Sequence, residues 1–255
     1  MQTALLPLLL PLLELWLPQV GAASGAAANA RIVGGTPVDI GSVPYLINLR
    51  LNGGFICGGA LVKPTHVITA AHCVKGVAAS KLLVVGGATL LSEPGVQRTV
   101  AKVYVPKSYN GRTLHYDVAV LKLTSPLTGN KIGTIGLCNS SWNVGDLVKI
   151  SGWGQVTERS QTVSLHVRSA EVALVSRKSC ISQYRLRGTI TSTMFCASVP
   201  GVKDACDGDS GGPAVYQNKL CGIVSWGIGC AQRKSPGVYT NVKTVRTFID
   251  KALGM

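Results

Sequence analysis

The sequence predicts an all-β protein, a sandwich or barrels, on three observations. Short runs rich in β-branched and aromatic residues recur, glycine- or asparagine-bearing pairs separate them, and a helical period appears only at the end. The runs are Tyr45–Leu51, Val67–Ala70, Leu82–Val85, Val96–Val105, Val118–Leu123, Leu147–Ser151, Ser169–Leu174, Ala214–Tyr216, Cys221–Trp226 and Gly237–Asn241. Gly53-Gly54, Asn110-Gly111 and Gly129-Asn130 form turns between some of them. Many short strands at this spacing suit a sandwich or barrels. At the end, Val242, Val245, Phe248, Ile249, Ala252 and Leu253 share one face, and Lys243, Arg246, Asp250 and Lys251 the other, which predicts a C-terminal α-helix.

Composition sets the compartment. The run from Leu5 to Leu17 is mostly leucine, too short and too broken by Pro7, Pro11 and Glu14 for a membrane span, and small residues follow at 21–24. Residues 1–23 therefore read as a signal peptide, and the protein as secreted. Eight cysteines, an even number, agree with an oxidising compartment and read as disulfides. With no CxxC pair or Cys/His cluster at zinc spacing, no metal is expected. Basic residues outnumber acidic ones 25 to 11, and residues 1–31 hold one of each, Arg31 and Glu14. The positive balance suits polyanions such as sulfated glycans or anionic membranes, but a generally solvated basic surface accounts for it more simply. The charges are spread along the chain instead of forming a dense arm, so no nucleic-acid partner is expected.

Three segments carry chemistry, and a fourth a cleavage signal. Asp204-Ala205-Cys206-Asp207-Gly208-Asp209-Ser210-Gly211-Gly212-Pro213 is too rich in glycine for helix or strand and sets a serine among carboxylates. A serine hydroxyl is a weak nucleophile without a base, so alone this is as much an ordinary tight loop as a site. Val67-Ile68-Thr69-Ala70-Ala71-His72-Cys73 leads a strand into a compact turn. Cys57 sits 16 residues before Cys73, so a disulfide there would pin the turn that presents His72. His66, His115 and His166 lack such support and read as surface residues. Asp117, before the apolar run Val118-Ala119-Val120-Leu121, reads either as a turn residue or as a sheltered carboxylate holding an imidazole. Arg31-Ile32-Val33-Gly34-Gly35 places one basic residue before a glycine hinge, and cutting after Arg31 would free an ammonium on Ile32.

These segments, with Ser151-Gly152-Trp153-Gly154 and Val224-Ser225-Trp226-Gly227, stand in the order and spacing of the chymotrypsin-like serine peptidases. Over residues 32–255 the chain resembles the trypsin-like members. The resemblance implies two six-stranded antiparallel β-barrels, divided near residues 140–145, with a C-terminal α-helix. It implies Ser210 as nucleophile, His72 as base and then acid, Asp117 as the group orienting His72, and the N–H groups of Gly208 and Ser210 as the oxyanion hole. Asp204 would lie at the base of the primary pocket, with Ser225, Gly227 and Gly237 around it, selecting arginine or lysine. Residues 24–31 become an activation peptide, and Ile32 the new terminus that folds onto Asp209. Cys57–Cys73, Cys180–Cys196 and Cys206–Cys230 follow the family, which leaves Cys138 to pair with Cys221.

The implied partners are protein or peptide substrates and protein protease inhibitors, and a monomer without cofactor is expected. Segment 86–95 holds one acid, Glu93, too few for calcium. Asp207 stands where trypsin carries a neutral amide, and would favour further basic residues in the substrate. The competing reading is a non-catalytic homologue acting as a binding or regulatory protein. It ordinarily requires a lost triad member, and all three are present.

Overall fold

The computed structural model describes residues 32–255. The expected signal peptide, the activation peptide and Arg31 lie outside the described residues.

After a two-residue strand β1 (Thr36–Pro37), the chain lays down β2 (Leu46–Leu51), β3 (Gly54–Lys63), β4 (His66–Thr69), β5 (Leu82–Gly86), β6 (Val96–Tyr104) and β7 (Ala119–Leu123). The strands β2 to β7 close into a barrel in the order β2-β3-β4-β7-β6-β5, every neighbour antiparallel. Its core includes Ile47, Leu49, Ile68, Val84, Val120 and Leu121. A closed barrel leaves no free strand edge, which suits a chain this rich in β-branched residues.

The chain crosses over through β8 (Gly136–Leu137) and builds β9 (Leu147–Gly152), β10 (Arg168–Val175), β11 (Met194–Ser198), β12 (Pro213–Tyr216), β13 (Lys219–Trp226) and β14 (Gly237–Asn241). The order β10-β11-β14-β13-β12-β9, closed by the β9–β10 pairing, is the second six-stranded antiparallel barrel. β1 adds to the outside of β10, and β8 runs parallel to β13. The last helix, Arg246–Leu253, turns back and packs Ile249 and Leu253 into the first barrel's core. Gly254 ends it in the left-handed conformation that a C-terminal cap requires. No helix among the described residues is long and apolar enough to cross a membrane.

Besides the two-residue strands β1 and β8, three elements go beyond the sequence reading. A second helix, α1 (Arg177–Tyr184), precedes the last one, α2. Ser176 caps it by accepting from the Ser179 N–H, and Cys180 and Tyr184, four apart, are buried together. No strand is expected through Gly58 and Gly59, yet β3 runs unbroken there. A Cβ on Gly59 would meet Ile47 and the Ile68 carbonyl, and Gly58 lies against the Gly212 backbone. β11 pairs on both sides, with β10 and β14, and lacks the polar alternation that marks half-exposed strands. The structure also corrects the reading of His66, His115 and His166 as surface residues. All three are half-buried: the rings pair with the Thr65 hydroxyl, with the Thr191 hydroxyl 76 residues on, and with the Val167 carbonyl.

Four disulfides fasten the chain: Cys57–Cys73, Cys138–Cys221, Cys180–Cys196 and Cys206–Cys230.

Candidate active site

The two barrels meet where β4 ends, β7 begins and the loop before β12 crosses. β4 delivers His72 through the short turn Ala71–Cys73, tied to β3 by Cys57–Cys73. Asp117 stands two residues before β7, fully buried. Its carboxylate accepts from the His72 backbone N–H at 2.9 Å, from His72 Nδ1 at 2.7 Å and from the Ser225 hydroxyl at 2.6 Å. Its own carbonyl accepts from Thr240 Oγ1 at 2.8 Å. These donors fix the carboxylate in place, and with Nδ1 occupied the imidazole has Nε2 left for a substrate or nucleophile. The two residues flanking His115, Leu114 and Tyr116, are left-handed without being glycine. The Thr193 hydroxyl accepts the Tyr116 N–H and so braces this bend from the second barrel.

Ser210 enters from the second barrel. Its carbonyl accepts from the Gly58 N–H at 2.8 Å, so the serine loop is stitched to β3 of the first barrel. Next to it, Gly211 is left-handed, and a Cβ there would collide with Thr69 and the Gly58 carbonyl. This packing brings the loop against the strand that leads to His72. Gly208 is also left-handed, and a side chain would strike Val163 and Gly154. Among the described residues, no protein acceptor takes the N–H of Gly208 or of Ser210. Those two donors are open to a ligand oxygen.

Beside Ser210 opens a cavity of about 300 Å³, lined in part by Asp207, Ser225, Gly227, Gly237, Tyr239 and Glu158. Asp204 is 1% exposed beneath it, accepting from the N–H groups of Ala205 at 2.9 Å and Ala231 at 3.3 Å. A Cβ on Gly237 would run into this carboxylate. Burial pushes Asp204 up to about 7, partly offset by backbone N–H groups. A cation entering the cavity would reverse that shift. Ser225, expected only as a pocket residue, lines the cavity and also supplies a third donor to the Asp117 carboxylate.

Asp209 is fully enclosed on the second-barrel side of the loop. It accepts from the Gly154 N–H at 2.8 Å and the Cys206 N–H at 3.0 Å. A Cβ on Gly152 or Gly154 would occupy the carboxylate's space. Burial raises Asp209 to about 7. Ile32 is buried in the core of the same barrel, with Val148, Ile150 and Ala214. The N–H of Asp204 donates to the carbonyl of Val33, which ties the start of the described chain to the pocket floor.

Cys57, His72 and Cys73 come close enough together to suggest a metal centre, but both sulfurs are spent in a disulfide and offer no thiolate. Glu93, the acid of segment 86–95, accepts the Thr89 N–H at 2.6 Å.

An imidazole clamped in one barrel and a serine carried to the same strands by the other are the side chains acyl transfer uses, on the two-barrel fold of the serine hydrolases. Residues 32–249 match the family model described as Trypsin. Seminase of Drosophila melanogaster is 41% identical over 231 residues, covering 89% of this chain and 83% of that protein. Trypsin delta of the same fly is 39% identical over 223 residues, 87% of this chain and 88% of that one. Hypodermin-B of Hypoderma lineatum is 40% identical over 223 residues, 87% of each. The chain belongs to the trypsin family of serine proteases.

Proposed function

We propose that this chain is a secreted serine endopeptidase, made as a zymogen, that cleaves the peptide bond following arginine or lysine. The observation that carries the reading is the His72–Asp117 pair, held by two hydrogen bonds from His72 to one buried carboxylate.

Ser210 Oγ attacks the scissile carbonyl carbon as its proton passes to His72 Nε2, and the C–O bond forms. Asp117 keeps the Nδ1 proton in place and stabilises the imidazolium. The developing oxyanion accepts from the N–H groups of Gly208 and Ser210, each such donor being worth about 3–4 kcal/mol in the transition state. His72 then gives its proton to the leaving amine and the C–N bond breaks. Water repeats the sequence on the acyl-enzyme.

Asp204 supports the choice of substrate. Among the described residues no ion pair involves it, so only backbone N–H groups offset its burial penalty. Such a carboxylate beneath an open cavity gains most from a guanidinium or ammonium arriving on the substrate. Asp207 and Glu158, both at this cavity, favour additional basic residues nearby. The zymogen reading rests on Ile32 and Asp209. In the continuous chain Ile32 holds a left-handed backbone, φ 36°, a costly conformation for a β-branched residue. Cutting after Arg31 removes that constraint and supplies an ammonium for the buried Asp209.

The test is to incubate the Arg31-cleaved protein with a complex peptide mixture and map every new terminus. Cuts after arginine and lysine are expected, falling by roughly 10⁵–10⁶-fold in Ser210→Ala. The preference for basic residues should disappear in Asp204→Ser. Cleavage after aromatic or small residues by the wild type, or full activity in Ser210→Ala, would contradict the reading.

A further inference from the structure

The strands of the first barrel contain Arg50, Lys63, His66, Arg98, Lys102 and Lys122, and no aspartate or glutamate. Register decides where these go. Lys63 on β3 is paired with His66 on β4, His66 with Lys122 on β7, and Lys122 with Lys102 on β6. Directly paired residues project to the same face of a sheet. Four cationic or titratable side chains, far apart in sequence, thus line up across four adjacent strands. At about 4.8 Å per strand the row is on the order of 15 Å long.

The row is unneutralised. No ion pair among the described residues involves any of its members. Lys102 and Lys122 are exposed, Lys102 with its ammonium 4.9 Å from the ring centre of Tyr104. Lys63 donates to the Leu253 carbonyl at the end of α2, and the Thr65 hydroxyl pairs with His66 Nδ1. Arg50 and Arg98, by contrast, spend their guanidinium groups on nearby carbonyl and amide oxygens. Burial, and then the charges of Lys63 and Lys122, hold the His66 imidazole below the usual histidine range, as expected in a locally positive field.

The row also lies away from the chemistry. β4 begins at His66 and ends towards His72, and β7 begins just after Asp117 and reaches Lys122 near its end. Both strands therefore carry the triad members at one end and the cations at the other. A ligand on the row leaves the cleft open.

We propose that the row Lys63, His66, Lys122 and Lys102 is a docking surface for sulfated polysaccharide, holding the protease on a polyanionic matrix with its cleft free. The choice of ligand follows from what surrounds the row. Among the described residues, the large exposed hydrophobic side chains, such as Leu147, Leu165, Leu186 and Val202, lie outside the first barrel's strands. No apolar wedge accompanies the charges as membrane insertion requires. The aromatic ring beside the row, Tyr104, is capped by Lys102, so it offers no stacking platform for unpaired bases. A flexible, hydrated chain of sulfates needs neither. The compartment rests on the secretion proposed above, but the binding test requires neither activity nor secretion.

The experiment measures the affinity of the full chain for heparin fragments over a range of salt concentrations. It compares the wild type with Lys102→Gln/Lys122→Gln and with a control of equal charge, Lys178→Gln/Arg185→Gln, on exposed positions at α1. The row variant should bind roughly tenfold or more weakly near physiological salt, and lose about two units from the slope of log affinity against log salt. The control should stay within about twofold of wild type by the same counting of contacts. Peptide hydrolysis by the cleaved forms should be unchanged in both variants and in the presence of heparin. Equal losses in both variants would reduce the effect to net charge and overturn the proposal. So would tighter binding to duplex DNA or phosphatidylserine vesicles than to heparin, undiminished binding to fully desulfated heparin, or inhibition of small-peptide hydrolysis by heparin.

Discussion

Asp209 is a fully enclosed carboxylate with two backbone donors, and desolvation outweighs them enough to raise it to about 7. Among the described residues no ion pair compensates it. Its folded value lies above the unfolded one, about 3.9, so the folded state holds an extra proton between those limits. The stability it contributes is full below about pH 4 and is lost as pH rises through about 7. Asp204 acts in the same direction, and does so before and after cleavage. On the proposed activation, the Ile32 ammonium pairs with Asp209 and removes only the Asp209 share. Thermal unfolding of uncut Arg31→Gln and of the cleaved wild type, scanned from about pH 4 to 7.5, should therefore diverge as pH rises. The gap should grow by on the order of a few kcal/mol, and shrink when Asp209→Asn is introduced into the uncut form. Curves that stay parallel across this range would mean that Ile32 does not meet Asp209.

At the scale of elements, the Cys57–Cys73 and Cys138–Cys221 bridges separate positioning from stability. The first closes 16 residues and holds the turn that presents His72, whereas the second closes 83 residues that do not include that turn. Chain entropy gives about 3 kcal/mol for the shorter loop and about 4.5 kcal/mol for the longer. Replacing Cys57 and Cys73 by serine should lower both the melting temperature and kcat. Replacing Cys138 and Cys221 should lower the melting temperature with kcat retained. Melting curves and peptide kinetics on the two variants check this. Equal loss of kcat in both would remove the positioning role from the shorter bridge.

Elements also differ in how far the sequence announces them. Strands such as β5 and β7 are legible because a continuous apolar run, Leu82–Val85 or Val118–Leu121, has few alternatives. β3 is not, because Gly58 and Gly59 look like breaks until the serine loop is seen crossing them. α1 buries Cys180 and Tyr184, too few for an apolar stripe, although Ser176 is a usable cap signal. In the site, motifs point to His72, Asp117 and Ser210, but the Ser225–Asp117 bond joins residues 108 apart and depends on how the barrels dock. The cationic row is of the same kind, invisible until strand register is known.

At the scale of the whole molecule, five of the ten acids in residues 32–255 gather at the seam and its cavity. Asp117, Asp204 and Asp209 are buried around the seam, and Asp207 and Glu158 line the cavity. The first barrel's strands carry only positive charge. On the proposed function a cationic substrate segment is drawn to the cleft, and on the proposed docking the barrel's far end faces polyanions. On this account, docking of the two barrels, completed by the cut after Arg31, turns the Ser210 hydroxyl into a nucleophile. Labelling with a fluorophosphonate, followed by mass spectrometry of the modified peptide, tests it directly. The account predicts a single adduct on Ser210 in the cleaved protein, strongly reduced in the uncut Arg31→Gln chain and in His72→Ala. An unlabelled cleaved protein, or an adduct on any other residue, would contradict it.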